Sequence, residues 1–203
     1  MIYLDNAATS YPKPSSVYQS VMKAMTEYGA NPGRGSHSMA IEGARVIYET
    51  RELLAQLFNL DDPMRAIFTF NATDGLNQAI KGVLNSGDHV ITTSMEHNSV
   101  LRPIKELEKY GVENTIVQCS SDGSLNVDDM EAAIKENTKL VVVTHVSNLT
   151  GTIMPVEKIG QMCRDRNILF LLDGSQSAGV LDIDMKKNNI DLLAVPGHKG
   201  LLG

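Results

Sequence analysis

The amino-acid sequence predicts an α/β fold with a mostly parallel central sheet covered by helices. Two observations carry that expectation. Short apolar, β-branched runs alternate with helical patterns through most of the chain, as parallel strands joined by crossover helices require. Polar signatures then follow those runs repeatedly: Asn71-Ala72-Thr73-Asp74, Ser94-Met95-Glu96-His97, His145-Val146-Ser147-Asn148, Asp173-Gly174-Ser175-Gln176 and His198-Lys199. Ligands of an open α/β sheet gather where strands end. Five such groups point to a site rather than to packing alone.

The elements follow in order. Residues 1–14 read as an N-terminal arm with turns, ahead of one large domain over 15–203. A helix is expected from Ser15 to Tyr28, then the glycine-rich loop Asn31–His37. A long amphipathic helix is marked by Ile41, Ala44, Ile47, Tyr48, Leu54, Ala55 and Phe58 near helical spacing. Strands are expected at Ala66–Phe70, His89–Thr93, Thr115–Gln118, Leu140–Thr144, Ile168–Leu172 and Leu192–Val195. Helices are expected between them at Thr73–Leu84, Val100–Tyr110, Val127–Glu136 and Val156–Arg166. Ser86-Gly87-Asp88, Tyr110-Gly111 and Ser121-Asp122-Gly123 punctuate the reversals.

Composition removes several classes of function. With 18 basic and 24 acidic residues the net charge is −6, the wrong sign for a nucleic-acid footprint. No apolar run reaches the roughly 20 residues of a membrane helix. Met1-Ile2-Tyr3-Leu4-Asp5 lacks the basic leader and apolar core of a signal peptide, so a cytoplasmic location is expected. Cys119 and Cys163 have no metal-type spacing and read as ordinary structural thiols. No metal site is expected.

The most specific pair is Asp173, which ends the apolar run Ile168–Leu172, and Lys199, 26 residues later and just past Leu192–Val195. A carboxylate and a lysine presented this way suit the two ends of a pyridoxal 5'-phosphate (PLP) ring. That cofactor needs a lysine for its covalent bond and an anion to keep its pyridine nitrogen protonated. It also needs donors for its phosphate, commonly amides at a helix N-terminus, and a flat group over one ring face. Asp173 has a competing reading as a helix cap, and Lys199 alone would be an ordinary surface lysine. Ala72 and Thr73 open a helix, with Thr73 placed as N-cap or as phosphate ligand. His97 is flat enough to stack on the ring, or is a loop or capping residue. Asn148 and Gln176 suit the cofactor's phenolic oxygen, or satisfy turn backbone.

Taken together and in order, Tyr3-Leu4-Asp5-Asn6-Ala7-Ala8-Thr9, Glu96-His97-Asn98-Ser99, Ser147-Asn148-Leu149-Thr150-Gly151, Asp173-Gly174-Ser175-Gln176 and Gly197-His198-Lys199 resemble the class V aminotransferase family. Within it, the nearest resemblance is to the NifS-like cysteine desulfurases. These are fold type I PLP-dependent transferases, usually homodimers, that take sulfur from L-cysteine and leave alanine. The resemblance implies that Lys199 is the covalent lysine, that Asp173 pairs with the pyridine nitrogen and that His97 stacks on the ring. Asn148 and Gln176 would address the phenolic oxygen, while Ala72, Thr73 and His198 would hold the phosphate. Asn6, Ala7 and Ala8 would lie near the substrate carboxylate, with His37 at the entrance. L-cysteine or a related amino acid is the implied substrate, and a sulfur-acceptor protein an implied partner.

There are two departures from the family pattern. Pro196 stands where many members have a serine, so a hydroxyl and an N–H are missing there. The family's persulfide-forming cysteine, its substrate-carboxylate arginine and its smaller C-terminal domain lie downstream of the lysine. The resemblance therefore casts this chain as the N-terminal portion. Alternatives on the same residues are selenocysteine lysis, transamination, or a PLP-domain fragment without catalysis.

Overall fold

A computed structural model describes residues 2–203. The chain forms two compact units. One runs to Phe68 and includes Gly197–Gly203; the other is Thr69–Pro196.

The first unit is helical. α1 spans Ser15–Glu27 and α2 spans Ser38–Phe58. His37 caps α2, its ring nitrogen accepting from the Ala40 N–H. Asn59 ends the helix in the left-handed region at φ 57°, a conformation that asparagine tolerates better than most residues. Ala40, Ala55 and Phe58 are buried, while Ile41, Leu53 and Leu57 remain on the surface.

The second unit is a five-stranded parallel sheet. Its strands are β1 (His89–Thr93), β2 (Glu113–Val117), β3 (Thr138–Thr144), β4 (Leu169–Asp173) and β5 (Leu192–Ala194). Their order is β2-β1-β3-β4-β5, and every neighbouring pair is parallel. Helix α3 (Ala72–Val83) leads into β1, and α4 (Asn98–Leu107), α5 (Val127–Ala132) and α6 (Val156–Asp165) fill the connections from β1 to β4. Leu76, Ile80, Val100 and Ile104 pack on Val90, Leu140, Val142, Leu171 and Ala194. The alternate strand residues Ile91, Val141, Val143, Phe170 and Leu172 are also buried, because successive side chains face opposite sides of a sheet. α6 lies against β4 and α5 against α6.

Chain order reverses at β1: the first crossover goes to β2 on one side, and the next strand, β3, lies on the other. A ligand crevice forms at the carboxyl ends of strands at such a reversal. It falls here between β1 and β3.

Several expectations need correction. Ala66–Phe70 is not a strand. It lies between the 3₁₀ turn Pro63–Arg65 and α3, and its polar groups bond locally. The Ala66 N–H reaches the Pro63 carbonyl, and the Phe70 N–H reaches Asp74 Oδ2. Phe70 itself is 99% exposed. Asn71, not Thr73, caps α3, its Oδ1 accepting from the Asp74 N–H at 2.9 Å. α5 stops at Ala132 rather than Glu136, because the chain turns where Thr138 Oγ1 accepts the Lys135 N–H. β2 begins two residues earlier than expected, at Glu113.

Candidate functional site

In the sheet unit, Asp173 is the last residue of β4 and only 2% exposed. Its backbone is held on both sides. Thr144 stands beside it in register, its carbonyl accepts the His145 N–H, and Ala194 faces it on β5. The side chain has much less. Oδ1 accepts the Ser175 N–H at 2.9 Å, and none of the ion pairs among the described residues involves Asp173. With one N–H donor and no ion pair among the described residues, this buried carboxylate can accept further donors. Its chemistry calls for a cation or a strong donor.

His97 follows β1 and is the N-cap of α4. Its Nδ1 accepts the Ser99 N–H at 3.2 Å and lies 2.7 Å from Ser99 Oγ. An accepting Nδ1 puts the proton of a neutral ring on Nε2. The capping reading is therefore observed, and it also fixes the plane of an exposed ring at the crevice.

α3 meets the same edge, because the turn Asn85–Asp88 reverses the chain into β1. Asn71 satisfies only the Asp74 N–H, so the Ala72 and Thr73 amides have no intrahelical acceptor. Two free amides at a helix N-terminus are suited to an anion.

Asn148 is exposed in the loop after β3. That loop is closed by Ser147 Oγ, which accepts the Leu149 and Thr150 N–H groups, and by the Val146–Ile153 bridge. Gly151 sits at φ 72°, where an L side chain would be strained. Gln176 is half-buried in the turn that follows Asp173. Ala72, Thr73, His97, Asn148, Asp173 and Gln176 thus share the carboxyl edge of one sheet.

The other predicted residues belong to the helical unit. There the N-terminal arm grips the lysine segment by its backbone. The His198 carbonyl accepts from Thr9 Oγ1 at 3.0 Å, the Ser10 N–H at 3.2 Å, Ser10 Oγ at 3.1 Å and Lys13 Nζ. Ser10 Oγ also reaches the Lys199 carbonyl at 2.9 Å. Burial, with the charges of Lys199 and then Lys13, holds the His198 imidazole below its usual value. Asn6, Ala7 and Ala8 lie exposed in the turn that precedes this grip, with the Ala8 N–H on the Asp5 carbonyl. His37 is exposed and occupied with capping α2. Thr9→Val removes one donor to the His198 carbonyl and the hydroxyl that meets its Nδ1 at 3.0 Å. It is expected to lower stability by about 1 kcal/mol, measured by urea unfolding; an unchanged midpoint would contradict the grip.

The sequence reading passed over two residues. Glu96 is buried at the end of β1 and spans to β3. Its signal was Thr93-x-x-Glu96 directly after an apolar strand. Thr9 has no sequence signal of its own, although it binds both the carbonyl and the ring of His198. Of the cysteines, Cys163 is buried and its thiol is pushed up to about 12, by burial and then by the Asp191 charge.

Residues 2–203 match the family model described as aminotransferase class-V. A cysteine desulfurase IscS of Shewanella loihica is 38% identical over 204 residues, covering 98% of this chain and 50% of that protein. The apo structure of a cysteine desulfurase from Thermococcus onnurineus NA1 matches with a TM-score of 0.93 at 34% identity, over 100% of this chain and 51% of that one. A structure described as SspA in complex with cysteine matches with a TM-score of 0.92 at 33% identity, over 100% of this chain and 58% of that one. The chain spans about half the length of the curated relatives it matches.

Proposed function

Since the chain belongs to the class V aminotransferase family, we propose that it forms a PLP site serving sulfur removal from L-cysteine, with alanine as the carbon product. The observation that carries the cofactor is Asp173, a buried carboxylate at a strand end with one N–H donor and no ion pair among the described residues. A protonated pyridine nitrogen is a further donor that it can accept. The donor set agrees: two amides open at the start of α3, and an imidazole fixed in plane by Ser99. The substrate class is supported by the names of the relatives and by the cysteine described in one matching structure.

PLP, when bound, supplies an electron sink for charge developing at the substrate α-carbon. The chain's residues do the rest. Asp173 holds the proton at the pyridine nitrogen, and the His97 ring covers one face and excludes water from it. The Ala72 and Thr73 amides, with His198, take the phosphate. Asn148 and Gln176 donate to the phenolic oxygen. Asn6, Ala7 and Ala8 orient the substrate carboxylate. Lys199 Nζ would hold the cofactor and, when free of it, would carry the substrate's α-proton.

Sulfur capture needs a thiolate. Cys163, buried and with its thiol pushed up to about 12, is poorly suited to that role. A second copy of the chain, a sulfur-acceptor protein and a cytoplasmic setting complete the proposal. Among the described residues no helix is long and apolar enough to cross a membrane.

Addition of PLP is expected to give a visible absorbance band distinct from that of the free cofactor, and Lys199→Ala is expected to abolish it. A wild-type chain with no such band would defeat the cofactor reading. Alanine release from L-cysteine tests the reaction separately.

A further inference from the structure

Glu96 has no part in the reading above, yet it sits at the chain-order reversal between β1 and β3. The backbone register of these strands runs through Ile91 and Val141. Beyond that point side chains join them. Thr92 Oγ1 donates to the Val142 carbonyl at 3.0 Å. Glu96 Oε1 then accepts the Thr93 hydroxyl at 2.7 Å and the Thr144 N–H at 3.0 Å. Thr144 is the register partner of Asp173, so one oxygen ties the ends of β1 and β3 to the residue beside that carboxylate.

Glu96 is 8% exposed and makes none of the ion pairs among the described residues. Both donors address Oε1, while Oε2 is buried with no hydrogen-bond partner. An ionised group there would be desolvated, half unpaired and repelled by Asp173. A protonated Oε2 removes the buried charge and the repulsion, and leaves only a neutral hydroxyl without a partner.

We propose that Glu96 is the positioning residue of Asp173: a neutral carboxylic acid that clamps Thr93 to Thr144 and leaves Asp173 the one buried anion among the described residues. The use of that undivided charge rests on the PLP reading. The clamp and the proton stand on Glu96 and its neighbours alone.

Burial raises the Glu96 carboxyl from 4.5 to about 8, the hydrogen bonds from Thr93 and Thr144 oppose the rise, and the Asp173 charge adds to it. The titratable neighbours are Asp173 on β4, His97 next in the chain, and His145 after Thr144. The His145 imidazole is held below its usual value by burial. The folded state thus keeps a proton that the unfolded chain loses near 4.5. The stability linked to this group is full below that value and is lost as pH rises towards about 8.

The test uses the 203-residue chain without cofactor. Thermal unfolding is followed from about pH 5 to about pH 9 for wild type and for Glu96→Gln, the uncharged isostere. The wild-type midpoint is expected to fall relative to the variant's across this window, with the variant more stable at the alkaline end; the lowered imidazoles of His89, His145 and His198 are common to both and cancel in the difference. Infrared spectroscopy of the wild type is expected to show a protonated-carboxyl band at pH 6 that Glu96→Gln lacks, a readout that does not depend on how a variant folds. With PLP, Glu96→Gln is expected to retain affinity, and Glu96→Leu, which cannot accept from Thr144, to lose about tenfold. Equal pH slopes for wild type and Glu96→Gln, or no carboxylic-acid band at pH 6, would overturn the proposal. A wild type that binds no PLP would count against the cofactor reading only, because the slope and the band are measured without it.

Discussion

Asp173→Asn is expected to weaken PLP binding by about 10- to 100-fold, the loss of a charge-assisted hydrogen bond worth about 1.5–3 kcal/mol. The same substitution is expected to leave the cofactor-free protein as stable as before, or more stable. An amide still accepts from the Ser175 N–H, as Asp173 Oδ1 does at 2.9 Å, and it removes a charge that is 2% exposed and has no ion pair among the described residues. Burying that charge is a cost in the empty protein and an asset only beside a cation. The two outcomes are measured by calorimetry without PLP and by absorbance titration with it. A stability loss of several degrees without PLP would make Asp173 a structural residue, as the helix-cap reading had it. One further consequence follows from the Asp173 charge on Glu96: in Asp173→Asn the Glu96 transition should move to lower pH.

Gly160→Ala is expected to be the most damaging single-methyl addition in the sheet unit. Gly160 lies inside α6, and a Cβ there would run into the Asn188 carbonyl oxygen. That carbonyl cannot retreat easily. The turn around it is closed by the Asn188 N–H on Asp184 O, the Ile190 N–H on Met185 O and the Lys187 N–H on Asp184 Oδ1. Overpacking of this kind costs about 1–3 kcal/mol. Gly82, near the end of α3, has nothing within 4 Å of its absent Cβ. Gly82→Ala is accordingly expected to stabilise the chain by about 0.5–1 kcal/mol through helix propensity alone. Urea unfolding of both variants decides the matter, and a Gly160→Ala protein as stable as wild type would show that α6 and the 184–190 turn can move apart.

Strands buried on both faces were legible because their sequence leaves little alternative. His89–Thr93 was placed to the residue, and the apolar runs of β3, β4 and β5 were found within one or two residues of their ends. Ala66–Phe70 has the same composition but no pairing strand among the described residues. A strand is defined by its neighbour, and local composition does not contain the neighbour. The α3 cap was misplaced for a different reason. Thr73 and Asn71 are both good capping residues, and Asn71-x-x-Asp74 was the discriminating pattern, since Asp74 returns a bond to the Phe70 N–H.

The site residues at strand ends were legible for the same reason as the strands: each polar group stands where an apolar run stops. Glu96 stood there too and was overlooked, because a glutamate in sequence is by default a solvated one. What distinguishes it is the pair of donors from Thr93 and from Thr144, 48 residues away, and no spacing rule anticipates the second. The grip of Thr9 and Ser10 on His198 spans 189 and 188 residues and was equally invisible.

On the proposed function, this chain binds PLP through Lys199. Borohydride reduction of the PLP-treated protein, followed by peptide mass mapping, tests it most directly. The account predicts one pyridoxyl group per chain, on the peptide that contains Lys199. A label scattered over surface lysines such as Lys81, Lys105 and Lys135, with Lys199 unmodified, would contradict it.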